Sequence, residues 1–510
     1  MLKQHRLSAC FILLAILCVL ASCDHNQADV TDDTAADVTT AGNTETDTTT
    51  TSDTTDDENV LRIVTDNSGK FLINDLVKEL ISDFEDSHPD ISVELEILPD
   101  EVEERNIRLE SLRAEIMSGD GPDVFLFPTK ARFQNEPVFL DVTQSMYNGM
   151  FADISELYDA DAELNKEQLQ STVMDAGVID GARYVLPLWF SYETILLDSE
   201  KLASCGIDQE EISGNIMDLY QLAINQNDKI MTDSTTFLSI GAANLFSQIV
   251  DYKTNQIMIS PEEIAEATKL HYQHQKLVYK EENPDEMYEI AIDDGISVGA
   301  YVSRDSFWRN GPRPMLVDNI ARSLEYYVIS KVYGYSEMKV IPLRASDGSV
   351  AATVTYWGAI SAGCDNVELA YEFMRSLLSE KAQWEIGRAP AGASNSPSFY
   401  GNGYPVRIHG SVENLTTTII NMGYNKVSDD PNGAEERFAK LKQVVLTDAD
   451  FPLLNVKIDC VRFPILWESD YDNQRYDIAE YNPTSVTTDV EIDKWAKELV
   501  RELEFHIAEG

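Results

Sequence analysis

Histidine and cysteine are scarce in this 510-residue chain, seven and six respectively, and both scarcities exclude chemistry. Only five histidines fall beyond residue 59, which thins the supply of general bases near neutral pH. No His-Glu-x-x-His, phosphate loop or Cys-x-x-Cys occurs. Basic residues are few as well: 39 Lys and Arg face 88 Asp and Glu, a formal charge of −49. A surface of that sign repels nucleic acid and anionic lipid headgroups. Long hydrophobic runs are lacking too. The uncharged apolar run Ala9 to Ala21 has 13 residues, short of the about 20 that a spanning helix needs.

What is present at the start is a processing signal. Lys3 and Arg6 precede the apolar run, and Leu20-Ala21-Ser22-Cys23 closes it. That tetrapeptide resembles the bacterial lipobox, which implies a signal peptide over residues 1–22 and lipid on Cys23. Residues 23–59 then carry twelve threonines, eleven acidic residues and no Lys or Arg. Such a stretch cannot bury enough surface to offset its ordering entropy and reads as a disordered tether, about 33 Å end to end on average. Of the remaining cysteines, Cys205, Cys364 and Cys460 are widely spaced and odd in number, so they read as small hydrophobes rather than a disulfide framework.

Beyond residue 59, 451 residues exceed what one core usually supports, so two lobes are expected. Val60 to Thr65 reads as a strand, the segment with Leu72, Leu76, Leu80 and Phe84 as a helix, Ile91 to Leu98 as a strand, and Val102 to Met117 as a helix. The turn Ser118-Gly-Asp-Gly-Pro122 leads into the apolar run Val124 to Phe127. This alternation predicts a parallel, helix-covered α/β sheet. Further helices are expected over Glu262 to Tyr279, Val367 to Leu378 and Ile492 to Ile507, with an extended segment over Val350 to Ile360 after an Asp347-Gly348 turn. His271 and His274, at i and i+3, read as a surface pair rather than as metal ligands.

Three stretches, in order, resemble the sugar-binding, maltodextrin-type solute-binding proteins of bacterial ABC importers. They are Ser118-Gly-Asp-Gly-Pro-Asp-Val-Phe-Leu-Phe-Pro128, Ala182-Arg-Tyr-Val-Leu-Pro-Leu-Trp189, and Tyr356-Trp-Gly-Ala-Ile-Ser-Ala-Gly363 followed by the helix from Glu368. The resemblance implies a two-lobe periplasmic-binding-protein-like α/β fold with hinge crossings and a central ligand cleft. It places lobe one at about 60–187 plus 338–380 and lobe two at about 190–336 plus 381–510. It also implies a monomeric receptor without cofactor or catalysis. Such a receptor is lipid-anchored on the outer face of the cell membrane and hands a mono- or oligosaccharide to transporter permease subunits. A surface glycoside hydrolase is the alternative, and a ligand-reporting partner of a sensor kinase a third. The chain beyond Tyr404 is longer than the family pattern leads one to expect.

A sugar offers hydroxyls at its rim and C–H groups on its faces, so its receptor needs aromatic platforms and planar polar side chains. Candidates are Trp189, Phe190, Tyr192 and Glu193 at the first crossing, and Tyr356 and Trp357 where another should meet the cleft. Asp66, Asn67 and Lys130 stand at expected carboxyl ends of strands, and Trp308, Asp318 and Asn319 near a further crossing. Aromatic residues on strands are usually core, and that is the competing reading for the two tryptophans. The lipobox reading generates one expectation. Cys23→Ala releases the protein from the membrane with its folding intact, because the lipid hangs on a segment without core contacts. Membrane fractionation checks it, and variant protein retained uncleaved in the membrane fraction would mark the apolar run as a spanning segment.

Overall fold

The computed structural model describes residues 59–66, 73–99, 101–129, 137–226, 230–233, 245–281, 314–320, 338–386, 404–408, 446–463 and 489–509, with single residues at 323, 324, 327, 412 and 413. The signal and nearly all of the expected tether lie outside them. Among the described residues no helix is long and apolar enough to cross a membrane.

Among the described residues fifteen strands follow in chain order: β1 (Val60–Asp66), β2 (Ser92–Leu98), β3 (Val124–Pro128), β4 (Val178–Ile179), β5 (Ala182–Arg183), β6 (Val185–Ser191), β7 (Glu193–Asp198), β8 (Met231–Asp233), β9 (Val250–Asp251), β10 (Gln256–Ile257), β11 (Met315–Asn319), β12 (Met338–Pro342), β13 (Ala351–Ile360), β14 (Tyr404–Pro405) and β15 (Cys460–Arg462). The helices used below are α1 (Ile73–Ser87), α2 (Val102–Ser118), α3 (Val142–Tyr147), α4 (Ile216–Asn225), α5 (Pro261–Glu281), α6 (Val367–Ser376), α7 (Glu380–Ile386) and α8 (Asp489–Glu509).

Among the described residues the larger sheet runs β14-β6-β13-β3-β1-β2, with β15 also on β13, and the smaller runs β12-β7-β11-β8. In the larger sheet β1 pairs in parallel with both β2 and β3. Its inner strand β3 is a continuous apolar run because both faces are covered: Val124, Phe125, Leu126 and Phe127 are all buried. The Ser118 to Asp123 motif builds the entry to β3. Gly119 takes a left-handed conformation (φ 85°) at the end of α2, and its backbone N–H closes the last turn. Asp123 then clamps β1, accepting from the Arg62 N–H at 2.8 Å and donating its own N–H to the Arg62 carbonyl at 2.8 Å. In the third family-like stretch, Gly358 must be small: a Cβ there would stand 2.4 Å from the Met374 methyl of α6 and 2.9 Å from a Leu126 methyl.

Two cores result. One surrounds the larger sheet with α1 and α6. The other packs α4, α5 and α8 on the smaller sheet through Ile195, Leu219, Ile264, Val317 and Leu499. His271 and His274 belong inside this second core, which corrects the surface reading. Both are buried beside Tyr220, whose hydroxyl lies 2.9 Å from His271 Nδ1. The tyrosine ring supplies the apolar wall and the hydroxyl a polar partner, so an imidazole is satisfied there without water.

The chain divides between the bodies differently from the boundaries expected of the resemblance. β12, expected with lobe one, pairs with β7 of the smaller sheet. β14 and β15, expected with lobe two, pair with β6 and β13 of the larger sheet. Arg407 explains the anchorage of the returning chain: its guanidinium donates to the Leu378 carbonyl at 2.9 Å, and its backbone N–H donates to Gln383 Oε1 at 3.1 Å. Of the segment beyond residue 404, α8 does belong to the second core.

Among the described residues three crossings join the sheets. β6 becomes β7 through Tyr192, β11 passes into Ile320 of the first core, and β12 leads through residues 343–350 to β13. Below them the carboxyl end of β1 is closed by a buried ion pair. Arg105 of α2 grips Asp66 with both guanidinium nitrogens, at 3.0 and 2.7 Å. Removing one partner of such a pair leaves an uncompensated charge, so Arg105→Ala should cost about 3–5 kcal/mol of folding stability, read as a lowered denaturation midpoint in urea.

Candidate ligand cleft

The crossings lie side by side as a hydrogen-bonded ribbon. The Tyr192 carbonyl accepts from the Ile320 N–H at 2.9 Å, and the Glu193 carbonyl accepts from the Leu343 N–H at 2.9 Å. Thr194 Oγ1 donates to Ser323 Oγ at 2.6 Å in a buried setting. Ser191, facing Thr353 in the register, and Pro128, facing Tyr356, place the carboxyl end of β3 at this same end of the larger sheet. The ribbon and the carboxyl ends of β1 and β3 therefore frame one region, where open α/β sheets bind ligands.

The expected site residues divide into three groups. Asn67, Lys130 and Trp308 lie outside the described residues. Glu193 is half-buried at the ribbon, and the register of β7 with β11 sets Asn319 opposite it and Asp318 opposite Thr194. The third group, the aromatic residues and Asp66, is buried, and this corrects the open-platform expectation.

Trp357, only 2 % exposed, is ringed by Phe127, Phe139, Phe151 and Phe463 at centroid distances of 6.0, 5.8, 5.7 and 6.5 Å. It is a core side chain. Trp189 is 3 % exposed and packs on Tyr356 at 5.1 Å. Among the described residues neither indole N–H has a hydrogen-bond acceptor. The Tyr356 hydroxyl donates to the Leu126 carbonyl at 3.2 Å and meets Thr65 Oγ1 at 3.0 Å, and burial pushes its pKa up. Tyr192 donates to the Leu453 carbonyl at 2.6 Å, and burial raises its pKa as well. Phe190 lies edge-on to Tyr404 at 6.2 Å. Asp66 is engaged by Arg105 and holds the helix rather than facing a cleft.

Local geometry explains why the aromatic residues turn inward. β13 shifts register against β6 between Val354 and Tyr356 and again between Tyr356 and Trp357. The second shift falls opposite Pro187, which has no N–H to give to the ladder. Such irregularities re-aim side chains, and here they send consecutive aromatic residues into different packing environments. Sequence reasoning passed over Arg105, Thr65 and Ser191. Arg105 sits at the apolar period of α2, where its burial is invisible without Asp66 beside it. It also passed over Gly295-Ile-Ser-Val-Gly299, which matches the Gly-x-Ser-x-Gly pattern and lies outside the described residues.

No protein-family model matches the chain, and no curated protein matches it. Solved structures do. An extracellular solute-binding protein family 1 member from Alicyclobacillus acidocaldarius is 13% identical, covering 88% of this chain and 98% of its own, with a TM-score of 0.50. The sugar-binding protein MalE from Xanthomonas citri is 13% identical with the same coverages and a TM-score of 0.51. The fold is that of the periplasmic binding proteins. A de novo designed cysteine esterase also matches, at 12% identity and a TM-score of 0.51, covering 88% of this chain and 98% of its own. Its chemistry has no counterpart in two of the three thiols: burial pushes Cys364 up to about 12 and raises Cys460, opposite to what a thiolate nucleophile requires.

In a periplasmic-binding-protein fold the ribbon is the hinge and the polar groups on it face the cleft as the lobes close. Burial of the tryptophans generates a sharp expectation. Trp357→Ala should cost about 3–5 kcal/mol of stability by opening a cavity among four phenylalanines. Urea denaturation reads it, and a midpoint unchanged from the parent would put Trp357 back among ligand platforms.

Proposed function

We propose that the protein is an extracytoplasmic solute receptor that binds a mono- or oligosaccharide between two lobes and presents it to an ABC importer. The ribbon of three hydrogen-bonded crossings carries this reading. It joins two separate cores at the carboxyl ends of parallel strands and leaves the half-buried Glu193 and Ser191 at the junction. A hinge so placed converts ligand contact into lobe closure, which is the signal a transporter reads. The described neighbours support it, since one is titled a sugar-binding protein and the other a solute-binding protein.

Within this reading Glu193 and Asn319 supply hydrogen bonds to sugar hydroxyls, with Asn67, Lys130, Asp318 and Trp308 as further contacts. Phe190, Tyr192, Trp189 and Tyr356 form the packed wall behind them. Lobe one comprises the larger sheet, including residues 404–408 and 446–463, and lobe two the smaller sheet with α8. Lipid on Cys23 holds the receptor at the outer face of the membrane, and the Thr- and Asp-rich segment lets it reach the permease. The receptor acts as a monomer and uses no cofactor.

Intrinsic fluorescence titrated with a panel of mono- and oligosaccharides tests the proposal. A saturable response to at least one sugar, weakened about tenfold or more by Glu193→Ala, is the expected outcome. The same sugars should be recovered unchanged after long incubation. Hydrolysis products that vanish in Glu193→Gln or in Ser297→Ala would replace the receptor with a hydrolase, and a response confined to peptides or polyamines would remove the carbohydrate class.

A further inference from the structure

A second concavity lies away from the crossings. Ile116 from the last turn of α2, Phe139 ahead of α3, Gln144 within α3, Val250 of β9, and Leu503 and Ile507 of α8 line an open cavity of about 490 Å³. Ile116 and Phe139 pack on the core of the larger sheet, and Val250, Leu503 and Ile507 belong to the second core. Both bodies thus contribute walls. The neighbouring residue Met150 locates the cavity in the fold, because its carbonyl accepts from the Ala362 N–H at 3.1 Å. Ala362 follows the end of β13 farthest from Thr353 and Ser191, so the cavity and the crossings sit at opposite ends of the larger sheet.

Its size falls within the range of small-molecule sites, and its lining is mainly apolar with few polar groups, the usual make-up of such sites. At one side the Tyr252 hydroxyl donates to the Asp141 carboxylate, which also accepts from the Gln144 N–H at 3.0 Å as the cap of α3. At the mouth, Met117 is 83% and Leu140 48% exposed. Large apolar side chains left in water around a formed cavity mark a surface that is covered in use. The lining carries one anion, Asp141, and one cation, Arg113, whose guanidinium donates to the Pro137 carbonyl at 2.9 Å, so it suits an occupant without net charge.

We propose that this cavity is a second ligand site, separate from the hinge cleft, for an uncharged small molecule with an aromatic or aliphatic body and one aromatic amine, amide or hydroxyl group. The apolar body lies between Phe139 and Leu503, and the polar group meets Gln144 or the Asp141 carboxylate. Because the walls come from both bodies, the occupant bridges them, and its affinity is linked to their relative rotation at the ribbon.

N-phenylnaphthylamine, an uncharged aromatic amine that fluoresces in apolar surroundings, serves as the probe and is titrated into the full chain. The expected result is a saturable rise in fluorescence from a single site, together with a raised melting temperature, since the probe binds only the folded form. Gln144→Trp projects a ring into the cavity and should weaken binding about tenfold or more, with the unliganded melting temperature retained. Asn148→Trp, from the exposed end of α3, does the same where the first variant folds poorly. Lys494→Trp, on the exposed face of α8, leaves binding unchanged. Non-saturable binding, or full affinity in both filling variants, overturns the site. Sugar is absent from every arm, so the outcome is independent of the carbohydrate reading.

Discussion

Two backbone carbonyls, those of Tyr192 and Glu193, hold the molecule's two bodies in one arrangement. Each is the acceptor for a chain crossing from the smaller sheet, Ile320 on one side and Leu343 on the other. A backbone ladder of this kind is stiff across its width and soft along its bend, because neighbouring strands keep their bonds while φ and ψ adjust at Tyr192. The buried Thr194–Ser323 bond adds a side-chain rung.

That constraint gives the surrounding packing its meaning. The base of the hinge on the larger-sheet side must not deform, and the aromatic cluster there is built accordingly. Trp189 leans on Tyr356, Tyr356 is bonded to Leu126 and Thr65, and Tyr192 is tied by its hydroxyl to Leu453. Close-packed interiors transmit displacement rather than absorb it. The Arg105–Asp66 pair fixes the start of α2 to the end of β1, with both guanidinium nitrogens used. These side chains are all buried, so their contribution is to packing.

Much of the fold is legible in the sequence. The helices α1, α2, α5, α6 and α8 follow from apolar period, and β1 to β3 from short β-branched runs between turn signals. The glycines of the family-like motifs are legible as chemistry too: Gly119 ends a helix and Gly358 admits α6 to the sheet. What stays hidden depends on contacts between distant segments. Trp189 and Trp357 look like platforms because they stand near a crossing, and it takes distant side chains, Phe139, Phe151 and Phe463 around Trp357 and Tyr356 against Trp189, to bury them. The histidine pair of α5 looks exposed until Tyr220 of α4 is placed against it. The strands after residue 403 are two and three residues long, below what periodicity resolves, so their return to the larger sheet depends on Arg407 finding Leu378.

The placement of that returning chain bears on how the bodies are joined. β14 adds to the edge of β6 beside Trp189 and Phe190, one residue before the crossing, and β15 adds to β13 at Ala351 to Thr353, directly after the third crossing. Both short strands therefore add backbone pairing beside the crossings on the larger-sheet side. The chain then leaves this body, and α8 packs on α5, with Lys269 Nζ 2.5 Å from Asp493. Its last turns reach the cavity that both bodies enclose. The segment after residue 403 thus adds pairing beside the crossings and contributes a wall at the far end of the sheet.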